Sequence, residues 1–380
     1  MKPATINFLK KRFSAYYNGE LKGAAAVYTP SSLQQREWGF LFFSEAGKTS
    51  MSRHRAFTSA EDLQTYLKSM VPAHVYYSTA YYANPSGAQM ADKNWLGADL
   101  VFDLDADHIV RGPYDEMLSR VKEELFKLIG MLTGELGFSK RDLQINFSGG
   151  RGYHIHIPLM SVRSWGSEER RALADYVSGT GISAESMFSD SEMKGWKLRF
   201  YEAADEELTR IAALSPDEAK SVLAGISGFN ERNAVPFTKT IPHLKEQLQQ
   251  NPSSLKNNTL LKAVLDCDNP SFKEKLLSRA AQTDEPVTTD VKRLIRYPGS
   301  LHGGSGMRVV PVDIEDLEDF DPLIDAVVFS ETPVTVTCSF PLTMKMLDNT
   351  YTLEKGVNKV PEALAVFLCA RGIAEYGSDI

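Results

Sequence analysis

Apolar and acidic positions alternate over LVFDLD, residues 100–105, so a strand here buries Phe102 and Leu104 on one face and turns Asp103 and Asp105 to the other. The aromatic-rich runs Trp38–Phe43 and Val75–Tyr82 predict two earlier strands. Between them lies a helix over about Glu61–Met70, with Thr58 and Glu61 at capping-box spacing. Past the acidic strand the period becomes helical: Met117, Val121, Leu125, Leu128, Leu132 and Leu136 share one face, and Gly137 predicts the stop. Leu143–Phe147 returns to the sheet, and in a strand, helix, strand unit the strand ends can share one rim. The loop after Phe147 is thereby brought close to the Asp pair.

From about Ser164 to Gln282 the texture is polar and helix-rich, with few strand signals. Ser215 and Glu218 form a second capping box with Pro216 at the first helical position, and Asn269 with Pro270 repeats the proline start. Strand and turn patterning resumes near Pro286 and runs to Val336, and a last helix is expected over about Pro361–Ala370. The expected fold is therefore α/β. A mixed-sheet core with flanking helices spans 1–163 and 283–380, and a mainly helical subdomain is inserted at 164–282. At 380 residues and 43% hydrophobic, the chain is long enough for a full core of this kind.

Charge and cysteine usage narrow the chemistry. A net charge of −7 argues against indiscriminate affinity for polyanions, so any nucleic-acid contact must be local or assisted by a partner. Cys267, Cys338 and Cys369 are odd in number and never spaced as CxxC, which excludes a disulfide framework and a four-thiolate zinc site; they read as small core residues. With no run of 18 apolar residues and no cleavable leader pattern, the expectation is a cytoplasmic protein without a membrane span.

Three segments carry candidate chemistry. Asp103 and Asp105 would lie roughly 6 to 7 Å apart along a strand, too close for both to be buried and ionised unless something positive sits between them. A divalent metal is the simplest such partner; the competing reading is a solvated strand end. FSGGRGYHIHI, residues 147–157, is a strand, a glycine-rich turn and a second strand, with Ser148, Arg151 and His154 as polar exceptions. Its glycines let backbone approach a ligand and expose N–H groups, and Arg151 offers a fork suited to phosphate. It could equally be a hairpin whose glycines serve only the turn. RLIRYPGSLHGGSG, residues 293–306, repeats the design with Arg296 and His302 beside permissive backbone. Together the three supply carboxylates for hard cations and donors for phosphate charge, the needs of metal-assisted nucleotidyl transfer.

The order FDLDAD, SGGRGYH, RLIRYPGSLHGGSG resembles the catalytic small subunit of archaeal and eukaryotic DNA primase, most closely the archaeal form, and the resemblance extends to REWGF at 36–40 and VPEALAVFL near the end. It implies a primase-type core that starts short primers from NTPs or dNTPs on single-stranded DNA, as a heterodimer with a primase large subunit. Carried over by residue, Asp103 and Asp105 match the paired metal ligands, and Ser148, Arg151 and His154 match the triphosphate-binding motif. Arg296 and His302 match the later basic residue and histidine. Family spacing places the third carboxylate at Asp284, with Asp290 as runner-up; looser alignment adds Glu37 and Arg53 as nucleotide-facing. The implied cofactor is a pair of Mg²⁺ or Mn²⁺ ions about 3.5 to 4 Å apart. Two departures stand out. Residues 106–147 hold no cysteine and only His108, so no structural zinc is expected there, and Gly304 stands where the family often has a lysine.

Three other readings share parts of this pattern. A primase-like repair or translesion polymerase would extend existing 3′ ends and is separated by comparing bare with primed template. A metal-dependent nuclease could use the same acids but has no need of two triphosphate loops. A non-catalytic scaffold should have lost one of the acids.

Overall fold

The computed structural model describes residues 1–21, 28–44, 50–109 and 111–377. The chain forms two compact units: Met1–Leu125, Phe138–Ala172 and Thr283–Ile380 make the first, and Phe126–Gly137 with Leu173–Gln282 the second.

Eight strands frame the first unit: β1 (Trp38–Leu41), β2 (Ser52–Arg55), β3 (His74–Ser78), β4 (Leu100–Asp105), β5 (Gln144–Phe147), β6 (Gly152–Ile157), β7 (Leu294–Arg296) and β8 (Val310–Val312). They build two four-stranded sheets in the orders β2-β1-β3-β7 and β8-β5-β6-β4, every neighbouring pair antiparallel. Because β4 and β5 each run antiparallel to β6, they run parallel to one another and end on the same rim, although β6 lies between them. Along β4 the expected alternation holds: Phe102 and Leu104 are fully buried, whereas Asp103 and Asp105 are partly exposed. Asp103 pairs with His154 and Asp105 with Gly152 across the β4–β6 ladder.

Several sequence-predicted boundaries move, each for a local reason. The run Val75–Tyr82 breaks after Ser78, because Arg36 takes the carbonyls of Ser78 (3.0 Å) and Thr79 (2.7 Å). Ala80–Tyr82 instead pairs with Trp95–Ala98. Ser59, not Thr58, caps the helix Ala60–Met70 by accepting from Asp62 N–H, while the Thr58 hydroxyl bonds the Asp62 carboxylate. The helix Tyr114–Gly134 stops before Gly137, which lies beyond its end at φ +78°. Glu285–Thr289 is a helical turn, started by Pro286, where strand patterning was expected.

Further on, Pro333–Cys338 pairs with Gly356–Pro361 and Ala374–Tyr376, and a buried helix, Glu362–Ala370, links the last two strands. Cys338 and Cys369 are buried, as expected for core thiols, whereas Cys267 is only half-buried.

The second unit is helical, its longest helices being Trp196–Ala212 and Ala234–Gln250. Ser215 and Glu218 make both bonds of the capping box ahead of Pro216–Leu223, and Asn269 caps Pro270–Leu277. Glu207 is fully buried and is held by Arg210 (2.7 Å), Lys275 (2.9 Å) and Ser271 (2.9 Å). Among the described residues no helix is long and apolar enough to cross a membrane.

Candidate active site

The β4 carboxylates open into a pocket of about 560 Å³ in the first unit. Asp103 and Asp105 line it together with Ser148, Arg151 and His154, from the loop and strand that follow β5. Arg296 at the end of β7 and His302 from the next loop complete the set, so seven of the sequence-predicted residues converge from three separated segments.

The glycines of the two loops serve the protein's own packing. A Cβ on Gly152 would lie 2.0 Å from the Leu104 carbonyl oxygen, so only glycine lets β6 run this close to β4. Gly149 has φ +73°, and a Cβ there would meet the His302 Cβ at 2.8 Å. The Ser305 hydroxyl donates to the Gly149 carbonyl, tying the loops together, and the Tyr114 hydroxyl donates to the Gly150 carbonyl from the other side. Ser148 holds its own turn by accepting from Gly150 N–H at 3.3 Å.

Charge in the pocket is unbalanced at the carboxylates. Burial, then the neighbouring Asp105 and Asp284, push the Asp103 carboxyl up to about 7, against the opposing pull of Arg293 and Arg296. A carboxylate held this high by burial and by other carboxylates is a fit for an added cation, which would reverse the balance. Asp284 donates its backbone N–H to the Asp103 carbonyl (2.8 Å), which fixes it beside β4, but its side chain does not line the pocket. Among the described residues no three or more His, Cys, Asp or Glu side chains converge on one point as they stand. Asp290, the runner-up, accepts from Lys292 N–H at 2.9 Å, an ordinary turn contact.

The histidines are neutral donors or acceptors. Burial drives His302 well below its ordinary range, reinforced by Arg296 and His74. Its Nδ1 lies 3.2 Å from Gly304 N–H and accepts from it, which leaves the proton on Nε2. His154 lies with Nε2 3.4 Å from an Asp103 oxygen and is also held neutral by burial.

Glu37 and Arg53 do not line the pocket. Glu37 is fully buried and is gripped by Arg53 (3.1 Å) and Lys93 (3.2 Å), which together outweigh burial and hold its carboxyl below the usual range.

Four pocket contributors escaped the sequence reading. Tyr76, Arg293 and Arg371 line the pocket as well. His74 stands behind it: its Nδ1 accepts from Arg296 (2.7 Å) and Gly303 N–H (3.3 Å), and burial followed by Arg296 lowers it to about 3, so it stays an acceptor. Arg296 is thereby clamped between His74 and the Tyr76 ring, 5.2 Å from the ring centre. Arg293 opens the RLIRYPGSLHGGSG segment, whereas His74, Tyr76 and Arg371 lie within no recognisable local motif; only the pairing of β3 with β7 brings His74 and Tyr76 to Arg296.

The profile of the DNA primase small subunit family matches residues 102–314, a segment that holds every converging residue named above except Tyr76, His74 and Arg371. Proteins named DNA primase small subunit PriS are similar along essentially the whole chain. The one from Methanocorpusculum labreanum is 63% identical over 380 residues, covering 100% of both chains. Those from Methanoregula boonei and Methanosphaerula palustris are 49% and 47% identical over 99% of this chain and 100% and 99% of their own. With the acidic strand, the two glycine loops and their common pocket in the segment so matched, the chain belongs to the DNA primase small subunit family.

Proposed function

We propose that this pocket binds a nucleoside triphosphate against Asp103 and Asp105, and that the chain uses it to start short primers de novo on single-stranded DNA. As a family member the chain is a DNA-directed nucleotidyltransferase, and transfer in this family is metal-dependent. The observation that carries the reading is the convergence of two adjacent carboxylates and two glycine, arginine and histidine loops on one pocket.

Asp103 and Asp105 would hold Mg²⁺ or Mn²⁺, with Asp284 as third carboxylate, and the ions would supply positive charge to the attacking and leaving oxygens. The chain's own groups do the rest. Arg151 and Arg296 take phosphate oxygens as planar forks, and His302 donates from Nε2 without needing to be charged. Ser148 and His154 orient the nucleotide from the β6 side, so a primer or initiating nucleotide's 3′-hydroxyl can attack the α-phosphate in line, with pyrophosphate leaving. His74 acts on the reaction through Arg296 and through the loop that carries Gly303 and His302.

In this reading residues 1–163 and 283–380 are the catalytic core and 164–282 a helical insertion. The chain works in the cytoplasm as a heterodimer with a primase large subunit, whose positive charge complements a net −7. No observation favours restriction to existing 3′ ends. The test is synthesis from radiolabelled NTPs or dNTPs on unprimed single-stranded DNA, with and without a large subunit. Labelled short products are expected; extension of pre-annealed primers alone would refute the proposal.

A further inference from the structure

One cation of the pocket comes from beyond the segment matched by the family profile, and its position is built rather than incidental. Arg371 follows the buried helix Glu362–Ala370. Gly372, at φ +71°, closes that helix: its N–H donates to the Cys369 carbonyl (3.0 Å), and Ile373 N–H donates to the Leu368 carbonyl (2.9 Å). This paired termination fixes the residue before the glycine, and a cation there also suits the negative end of the helix. The guanidinium lies 5.0 Å from the Tyr114 ring centre and 5.4 Å from that of Phe367, two rings packed edge to face at 5.1 Å. Tyr114 is in turn bonded to Gly150, so Arg371 is held against the glycine loop that carries Ser148 and Arg151.

Two of the pocket's arginines, Arg293 and Arg296, act on Asp103, and Arg296 acts on His302 as well. Arg151 and Arg371 act together on Tyr114 and, after Arg296 and His74, on His302, in the same pocket as Gly304, which offers no side chain. With the α-phosphate at the carboxylates, the tail of a triphosphate has Arg151 and Arg371, beside the glycine loop, to extend toward. We infer that Arg371 is a phosphate-binding residue that receives the terminal phosphate of the incoming nucleotide and supplies there the charge that the loop 302–306 lacks. The inference rests on the pocket being a triphosphate site.

The test measures equilibrium binding of a nucleoside triphosphate with a non-cleavable α,β linkage, its diphosphate and its monophosphate, each with Mg²⁺, to the wild-type chain and to Arg371→Ala, Arg371→Gln and Arg371→Lys, alongside KM and kcat for primer synthesis. Triphosphate binding should weaken about tenfold in Arg371→Ala and Arg371→Gln, with monophosphate binding unchanged, and Arg371→Lys should recover part of the loss. KM should rise by about the same factor and kcat change less than about twofold, because a remote contact is made equally in ground and transition states. Arg371→Gln keeps a long polar side chain on Tyr114, so it carries the comparison if the alanine variant does not fold. Equal triphosphate binding in all variants, or equal weakening toward all three nucleotides, overturns the inference. A wild-type chain without preference for the triphosphate would overturn the reading of the pocket itself.

Discussion

Asp103 and Glu207, one in each unit, are both largely withdrawn from water and carry their charge in opposite ways. For Asp103 burial comes first, Asp105 and Asp284 add to it, and two nearby arginines fail to compensate, leaving the carboxyl at about 7. For Glu207 burial also pushes upward, but hydrogen bonds from Arg210, Lys275 and Ser271 outweigh it and bring the group to about 2. A carboxylate buried for structure is satisfied by its own chain. One left high among other carboxylates in an open pocket is matched to a cation from outside.

The comparison is broken most directly by removing each acid. Asp103→Asn or Asp105→Asn should lower primer synthesis by about three orders of magnitude or more while the protein stays folded, checked by product yield beside a melting curve. Glu207→Ala should do the reverse. It strands two partly exposed cations and a hydroxyl, so denaturant unfolding should show a loss of about 2 kcal/mol, with synthesis per folded molecule unchanged.

Acid and base should separate the two groups further. Glu207 has a depressed folded value, so its contribution to stability is present above about pH 4.5 and lost as pH falls toward 2. Asp103 has a raised folded value, so it costs stability as pH rises from about 4 through 7. In metal-free buffer Asp103→Asn should therefore melt at least about 3 °C above wild type at pH 8, with the gap closing near pH 4. Saturating Mg²⁺ should narrow the gap at pH 8. The smallest effect is expected at His74: losing the acceptor that aims Arg296 should raise the nucleotide KM about threefold in His74→Ala, with His74→Asn recovering part of it.

The legible parts of this molecule were those with a local signature. Period-two alternation placed Asp103 and Asp105 on one face of β4, and the strand–glycine–strand pattern placed Ser148 and Arg151 at a turn. Ser215 and Glu218 formed the capping box that their spacing predicted. Where two neighbouring hydroxyls competed, as at Thr58 and Ser59, spacing alone chose the wrong cap. The glycines were legible as turn residues, but their packing partners, Leu104 and His302, were not. His74 reads as one polar residue opening an aromatic strand, and Arg371 as a base at a helix end. Their roles depend on neighbours more than two hundred residues away in sequence, which no local pattern encodes.

The most direct test of the central claim, that the carboxylates of β4 hold cations beside a nucleotide's phosphates, is equilibrium Mn²⁺ binding followed by loss of the free-ion resonance, with a non-cleavable triphosphate present. The wild-type chain should bind Mn²⁺ beyond what the nucleotide alone binds, and Asp103→Asn and Asp105→Asn should abolish that excess. Equal excess binding in wild type and both variants would contradict the account.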